Sequence, residues 1–237
     1  MRKSWFLGAF VLCGLLSNNA HAADELGEPG QVALGVERLF GINHWSSTAK
    51  PSEKPEVTLS GTSIGLVVNG GTTATFDEAT FPMPYSIPRL ALDYMVADGV
   101  SIGGSIGYTR RTGEVEAGGQ TSDVPTVTAL VLAPRVGYVF PLTDGVDFWL
   151  RAGVTYFRAA YEYDVQNTPS DDSLTGFALS ADGALVLSPI AGFGFYLGPT
   201  VDVGLSGTYT DEGGGGSEDV DATLSSFGLN AGLVGWF

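Results

Sequence analysis

The fold of this chain is decided by the stretch TVTALVLAPRVGYVFPL, residues 126–142. From Leu130 to Phe140 every second residue is large and apolar or a proline, whereas the positions between them carry smaller residues and Arg135. Because the side chains of a β-strand point alternately to opposite faces, this pattern predicts a strand with one apolar face. The stretch has 17 residues, more than the about 9–11 that a tilted strand needs to cross a bilayer.

The same alternation recurs in residues 146–161 and 192–209. Short turns such as Asp144-Gly145 separate some of the alternating segments, and longer polar segments separate others. Short turns on one side and long loops on the other are typical of outer-membrane β-barrels, where the short turns face the periplasm. We therefore predict an all-β fold, an eight-stranded antiparallel up-and-down transmembrane β-barrel. Its strands are predicted near residues 30–43, 86–97, 99–111, 126–142, 146–162, 175–188, 193–209 and 221–237.

The first extracellular loop, residues 44–85, is predicted to be long. Residues 62–68 read as a strand, and Asn69-Gly70 after them is a strong hairpin signal. We expect this hairpin to extend above the membrane. If both of its arms cross the bilayer instead, the barrel has ten strands, and the even number still leaves both chain ends in the periplasm.

The N-terminal residues have the form of a secretory signal peptide. Arg2 and Lys3 precede an apolar run at residues 5–16, and Ala20 and Ala22 supply the small residues of a cleavage site. We expect residues 1–22 to be removed, leaving the barrel as 23–237. The mature chain would contain no cysteine, which excludes disulfides and cysteine-ligated zinc.

Composition and charge narrow the classes of function. Only 16% of the residues are charged, against about 25% in soluble domains, while 11% are aromatic and 34 are glycine. This balance favours strands that face lipid. The mature chain would carry nine basic and 26 acidic residues, a net charge of −17, which argues against binding nucleic acid.

Aromatic residues are predicted at two levels of the wall, since their rings favour the two membrane interfaces. The periplasmic set comprises Tyr94, Tyr138, Phe140, Phe148, Phe193 and Phe237. The outer set comprises Phe40, Tyr108, Tyr156, Phe177 and Tyr209.

The C-terminal stretch FGLNAGLVGWF, residues 227–237, alternates apolar residues and ends on an aromatic one. Its apolar face comprises Phe227, Leu229, Ala231, Leu233 and Phe237. This stretch resembles the recognition strand of bacterial outer-membrane proteins. The whole mature chain resembles the small eight-stranded barrels typified by the OmpA membrane domain, OmpX and OmpW. The resemblance implies an outer-membrane location and assembly by the barrel-assembly machinery.

An eight-stranded barrel is just wide enough for its own side chains to fill, so its inward residues decide whether it conducts. The predicted registers turn a charged cluster inward, comprising Glu37, Arg89, Asp93, Arg135, Arg151, Asp182 and Asp202. Because an unpaired buried charge costs several kcal/mol, we expect Arg135 and Arg151 to bridge the acids and block the lumen. Acids outnumber arginines in this set, so a narrow cation-preferring conduit is the alternative.

Three further arginines share the parity of the outward, lipid-facing residues. Arg110 and Arg158 are predicted on the lipid side near the outer interface, where they could pair with lipopolysaccharide phosphates or extend to water. Arg38 shares the parity of apolar neighbours, and an outward arginine at the midplane costs about 2–4 kcal/mol. Either Arg38 lies high enough to reach water, or a bulge turns it inward beside Glu37.

No residues form a recognisable catalytic, cofactor or metal site, so we expect neither enzymatic activity nor a cofactor. His44 is the single mature histidine, and no serine lies in a nucleophile motif. The favoured function is a structural or surface-interaction role of a monomeric barrel whose extracellular loops meet a ligand that the sequence does not identify. The alternatives are a narrow ion or small-solute channel and, after it, a lipid-modifying enzyme.

Overall fold

A computed structural model describes residues 25–50, 55–66, 73–76, 79–117, 120–165, 168–213 and 216–237. The predicted signal peptide and the Asn69-Gly70 turn lie outside the described residues. The described strands, in chain order, are β1 (Val32–Lys50), β2 (Val57–Leu66), β3 (Thr73–Phe76), β4 (Ala79–Pro82), β5 (Arg89–Ala97), β6 (Val100–Ala117), β7 (Gln120–Thr143), β8 (Val146–Val165), β9 (Thr168–Ile190), β10 (Phe193–Gly213) and β11 (Gly216–Trp236).

Eight of these strands, β1 and β5 to β11, form a closed antiparallel ring. Each strand pairs with the next along the chain, and the ring closes where Ala33 of β1 lies opposite Trp236 of β11. The predicted eight-stranded up-and-down barrel is therefore confirmed. The ring does not have ten strands. No helix in the described part of the chain is long and apolar enough to cross a bilayer.

The wall has its large apolar side chains on the outside. On β7 the exposed fraction of Val136 is 58%, whereas that of Val131 on the other face is 0%. A water-soluble β-fold buries its apolar face, but here the apolar face is exposed around the ring, as in a barrel that contacts lipid. The outward residues with the largest exposed fractions on the ring include Leu90, Tyr108, Val136, Leu142, Leu205 and Phe227.

Glycines close the short turns at one end of the barrel. Gly99, Gly145 and Gly192 have φ of 69°, 72° and 74°, the left-handed region that glycine adopts without a steric penalty. These turns connect strands that are hydrogen-bonded neighbours, so they fix the register of each hairpin.

Two bulges change the direction of side chains that strict alternation would place elsewhere. Between the paired positions Val36–Leu233 and Phe40–Ala231, β1 contains two residues more than β11. Arg38 lies in this bulge with φ of 56° and turns inward, where its guanidinium lies 3.0 Å from Asp202. The bulge therefore turns Arg38 inward, and Arg38 does not extend to water. Its acidic partner is Asp202 and not Glu37.

The second bulge lies in β10, where one extra residue separates Gly204 from Ser206 relative to the facing residues of β9. Because one inserted residue reverses the inward and outward faces, the outer part of β10 points its odd-numbered side chains into the barrel. Tyr209 is accordingly 7% exposed and packs in an internal apolar cluster. Its predicted place in the outer aromatic set is wrong.

Much of the described part of the first loop forms β-strands. β1 continues to Lys50, and β2 pairs with its outer half from Ala49–Val57 to Phe40–Leu66. Residues 62–66 of the strand predicted at 62–68 belong to β2 and pair with β1, and residues 67–68 lie outside the described part of the chain. The inner half of the same edge of β1 pairs with β5, from Val32–Tyr94 to Glu37–Arg89. Between β2 and β5, the chain forms the β3–β4 hairpin and a short 3-10 turn, Pro84–Ser86.

Candidate functional site in the barrel lumen

Arg135 on β7 is the centre of a buried ion-pair network at mid-height of the lumen. Its Nε and Nη2 donate to the two carboxylate oxygens of Asp93, at 3.0 and 2.5 Å. Its Nη1 lies 2.7 Å from Oε1 of Glu37. This bidentate geometry suits the planar guanidinium, which presents parallel donors to a carboxylate.

Arg151 on β8 joins the same network from the other side. Its Nη1 donates to Oε1 of Glu37 at 2.7 Å, and its Nε donates to Asp182 at 2.7 Å. The guanidinium also lies over the Trp149 ring, 4.6 Å from the centroid. Glu37 thus joins the two arginines, and five of the seven predicted lumen residues form one connected group: Glu37, Asp93, Arg135, Arg151 and Asp182.

The remaining two residues of the predicted cluster lie apart from this network. Asp202 pairs with Arg38 and accepts a hydrogen bond of 2.6 Å from Ser180 Oγ. Arg38 also donates to the backbone carbonyl of Tyr85. Arg89 is 3% exposed, and it forms no ion pair within 4.0 Å of a carboxylate among the described residues.

Below the ion pairs, an apolar layer fills the end of the barrel that holds the short turns. Trp149 and Trp236 are 1% and 2% exposed and pack with Leu26 from the segment that precedes β1. That segment is held under the barrel because the Gln31 side chain accepts from Gly27 N at 2.8 Å and donates to Glu25 O at 2.6 Å. The layer also contains Ala33, Met95, Val139, Ala184, Val186, Tyr196 and Val234.

Above the ion pairs, the segment that leads into β5 enters the lumen. Met83 and Tyr85 are 0% exposed. The Tyr85 hydroxyl donates to Leu224 O at 2.8 Å, and its ring meets that of Phe157 edge-on with centroids 5.5 Å apart. We call residues 83–87 the loop plug. Met83, Tyr85 and Ile87 are spaced at every second residue, as in a strand, but the segment contains a 3-10 turn and forms no strand, so alternation did not identify it as a plug.

Between these layers lies a cavity of only about 30 Å³. A cavity of this size has room for water but not for a continuous pore. It is lined by inward residues of the ring, including Arg89, Arg151, Thr200, Tyr196 and Asn230. The described lumen is therefore filled by apolar side chains at both ends and by paired charges between them.

The extracellular rim of β8 to β10 is acidic. Glu162, Asp171 and Glu212 lie side by side in register, and Asp172 lies opposite Asp211 on the other face. Burial and the neighbouring Asp211 carboxylate raise the pKa of Asp172 to about 6. Burial, with Glu162 and Glu212, also raises the pKa of Asp171.

The other predicted surface residues lie on the outer wall. Arg110 and Arg158 are exposed and outward, on β6 and β8. His44 is exposed on β1, where its Nδ1 lies 3.1 Å from Thr62 Oγ1. Within the described ranges, no three His, Cys, Asp or Glu side chains are arranged to hold a metal ion. On the C-terminal strand, Phe227 and Leu229 are exposed, while Ala231, Leu233 and Phe237 are half-buried.

Comparison with known proteins agrees with this architecture. Residues 10–233 match the family described as outer membrane protein beta-barrel domain. The outer membrane protein OprG from Pseudomonas aeruginosa has a similar structure, with 12% identity, a TM-score of 0.52, and 89% of this chain and 97% of that chain covered. At this identity the likeness shows the fold alone.

Two further solved structures are less similar. Neisserial surface protein A has 13% identity and a TM-score of 0.43, with 87% of this chain and 98% of that chain covered. Ail of Yersinia pestis has 14% identity and a TM-score of 0.35, with 87% and 99% covered. No curated protein sequence matches the chain.

Proposed function

The chain belongs to the outer membrane protein β-barrel family, and we propose that within the outer membrane it is a non-conducting barrel with a structural or surface-interaction role. The observation that carries this proposal is the filled lumen. Apolar residues around Trp149 and Trp236 occupy one end, and the loop plug occupies the other. Ions would have to cross both layers as well as the paired charges, and the side chains of the layers are mostly apolar, so they cannot replace the ions' water of hydration.

Planar-bilayer recordings test the absence of conduction. The mature protein, refolded and inserted, should give no steady single-channel conductance at either polarity. The Tyr85→Ala variant, which removes the largest side chain of the loop plug, should remain silent because the Glu37–Arg135–Arg151 network still fills the lumen. A steady conductance of the unmodified protein would overturn the proposal in favour of a narrow channel.

The surface-interaction role is assigned to the strand extensions outside the membrane. β7 has 24 residues, and only about 9–11 are needed to cross, so more than half of this strand lies beyond the hydrocarbon. The neighbouring extensions of β8 to β10 carry the acidic row Glu162, Asp171 and Glu212. This row would favour positively charged partners over negatively charged ones.

Contact with lipopolysaccharide is proposed for Arg110 and Arg158. Both are exposed and outward, and guanidinium groups pair bidentately with phosphate. The double variant Arg110→Gln/Arg158→Gln should lose the rise in unfolding temperature that phosphorylated lipopolysaccharide gives the unmodified protein. Lys50→Gln is the control, because Lys50 already pairs with Glu56 at 3.2 Å. An equal rise in the double variant would contradict the contact.

The C-terminal strand is proposed as the signal read by the barrel-assembly machinery. Phe237 also closes the ring, since its backbone N–H and carbonyl bond with those of Val32. Phe237→Ala keeps these backbone bonds, so it should refold in detergent but accumulate less in the outer membrane of cells. Normal accumulation in cells would count against a recognition role.

A further inference from the structure

The end of the barrel that holds the short turns at Gly99, Gly145 and Gly192, here called the short-turn end, has only negative side-chain charges among the described residues. Its acidic residues lie in the segment before β1, in the turns and at the start of β8: Glu25, Glu28, Asp98, Asp144 and Asp147. Every lysine and arginine that the structure describes lies in the lumen or toward the extracellular ends of the strands. The lumen charges balance one another, so they do not compensate this end.

Three of these carboxylates surround a cavity of about 170 Å³ where the ends of β7, β8 and β9 meet. The cavity is far larger than a single water requires, about 10–15 Å³. Its carboxylates are those of Glu25, Asp144 and Asp147. Pro141 and Leu142 form an apolar side of the cavity, and none of its lining residues is basic. The cavity therefore combines negative charge with an apolar surface.

Two separate segments of the chain bring these acids together. Asp147 lies opposite Pro141 in the register of β7 and β8, and the carbonyl of Gly145 accepts from the N–H of Ser188 at 2.8 Å. Glu25 comes from the segment before β1, which is held in place because Gln31 Nε2 donates to the Glu25 carbonyl at 2.6 Å. The acids are thus positioned by the fold.

Asp147 is the buried member of the three. It is 6% exposed, it lines the cavity, and it forms no hydrogen bond or ion pair with the part of the chain that the structure describes. The carboxylate of Glu25, which has the same sign, acts on it through space. Water can solvate these carboxylates, but it does not neutralise their charge. Three like charges around one cavity therefore favour a cation.

The surroundings favour an organic cation with a hydrocarbon stem. No three carboxylates in the described ranges are arranged to hold a metal ion, whereas Pro141 and Leu142 offer an apolar side against which a stem can pack. Glu28 and Asp98 extend the negative surface beyond the cavity and are exposed. A ligand with several positive charges on one chain would meet both parts of this surface.

We propose that the short-turn end docks a basic segment of a periplasmic protein, and that one arginine or lysine side chain of this segment is seated between Glu25, Asp144 and Asp147. A guanidinium can bridge two carboxylates, as that of Arg135 does in the lumen. The short turns of outer-membrane barrels face the periplasm. The site is at the opposite end of the barrel from the extensions to which the surface-interaction role is assigned, so it does not depend on that role.

A peptide of alternating arginine and glycine is the probe, added to the mature protein in nanodiscs and followed by NMR. The backbone amide signals of Gly145 and Ser188 should shift and saturate. The same peptide with citrulline in place of arginine is neutral and has nearly the same shape, and it should leave these signals unchanged. Equal shifts with the citrulline peptide, or shifts confined to the extracellular acidic residues, would overturn the proposal. This comparison requires no variant to fold.

Two double variants of equal charge change locate the binding. Asp144→Asn/Asp147→Asn should weaken the affinity measured at the Ser188 amide by about tenfold or more, because charge-assisted hydrogen bonds are lost. Asp171→Asn/Glu212→Gln, at the extracellular rim, should leave it unchanged. Equal affinities of the two variants would contradict seating in the cavity. Saturation of the same signals by spermidine or Mg²⁺ at a lower concentration than the peptide would overturn the docking of a polypeptide.

Discussion

At the residue scale, most buried charges of the lumen lie in contact with opposite charges, because an unpaired charge is costly to remove from water. Glu37 accepts from Arg135 and Arg151 at once, and each arginine takes a second carboxylate, Asp93 or Asp182. Such a network is costly to desolvate, and its net contribution to stability is small, but removing one member strands the others. The residues of the network therefore depend on one another.

The first prediction concerns Arg151→Met, which removes the contacts to Glu37 and Asp182. We expect the free energy of unfolding in urea to fall by about 3–5 kcal/mol, because a buried ion pair is broken and its carboxylates remain. Asp182→Asn should lower the free energy of unfolding by less in the Arg151→Met variant than in the unmodified protein, since the two residues share one interaction. Arg110→Met is the matched control. An unchanged midpoint for Arg151→Met would show that the network does not stabilise the barrel.

Sequence alternation predicted the inward direction of Arg135 and Arg151 but could not decide Arg38. The reason is physical, because inward and outward parity holds only while the two strands advance by equal numbers of residues. The bulge between Val36 and Phe40 adds residues to one strand alone. Nothing in the local sequence marks the position, and Arg38 adopts a φ of 56° there without being glycine or asparagine.

At the element scale, neighbouring strands approach so closely at some positions that a side chain would not fit. A Cβ on Gly153 of β8 would lie 2.0 Å from the backbone oxygen of Pro134 and 2.8 Å from Cα of Arg135, both on β7. A Cβ on Gly65 of β2 would meet nothing within 4 Å. The two glycines thus have opposite tolerance for substitution, although both lie in strands.

The second prediction uses this pair. Gly153→Ala should lower the free energy of unfolding by about 1–3 kcal/mol, the usual cost of an overpacked buried position, because the obstructing atoms belong to the backbone. Gly65→Ala should change it by less than about 0.5 kcal/mol, as for surface substitutions in general. Urea titrations followed by tryptophan fluorescence compare the two variants. Equal effects would mean that β7 and β8 are not as close as described.

The third prediction concerns pH and the outer extension of β9 and β10. The pKa of Asp172 is raised to about 6, whereas an unfolded aspartate titrates near 3.9. Between these values the folded extension binds more protons than the unfolded one, so its stability increases as pH falls through about 6 and is lost as pH rises through that value.

Hydrogen exchange measures this effect. After correction for intrinsic rates, amides near Asp172 and Asp211 should be better protected at pH 5 than at pH 7. Asp172→Asn, which keeps the shape and removes the titration, should reduce the difference. Protection that does not change with pH in the unmodified protein would contradict the stabilisation of the folded extension by protonation of Asp172.

The strand elements were largely predictable, whereas the plug and the outer pairings were not. Alternation and short glycine turns predicted all eight strands of the ring, because each strand has one mainly apolar face where it crosses the membrane. The true strands extend further outward, since residues 112–117 and 168–174 were expected in loops but pair in β6 and β9. Outside the membrane a strand does not need an apolar face. The alternation of apolar and polar residues is therefore lost there, although the backbone pairing continues. The position of Tyr209 depends on a bulge in the same region.

At the scale of the whole molecule, the protein is an inside-out β-structure. The wall presents apolar side chains outward all round, and the interior stacks an apolar base, a layer of paired charges and the loop plug. The eight-stranded ring closes on itself, so its strands satisfy their backbone hydrogen bonds internally, which is the condition for a β-structure in lipid. The filled interior leaves the extracellular extensions as the part that is open to partners.

Intermolecular NOEs from lipid acyl-chain protons to protein methyl groups, in nanodiscs, test this arrangement most directly. Val131 and Leu132 are neighbours in β7 with exposed fractions of 0% and 38%, and Val139 and Val136 form a second inward and outward pair at 1% and 58%. The arrangement predicts strong lipid NOEs to Leu132 and Val136 and none to Val131 and Val139. Strong lipid NOEs to Val131 and Val139, with water contacts at Leu132 and Val136, would contradict it.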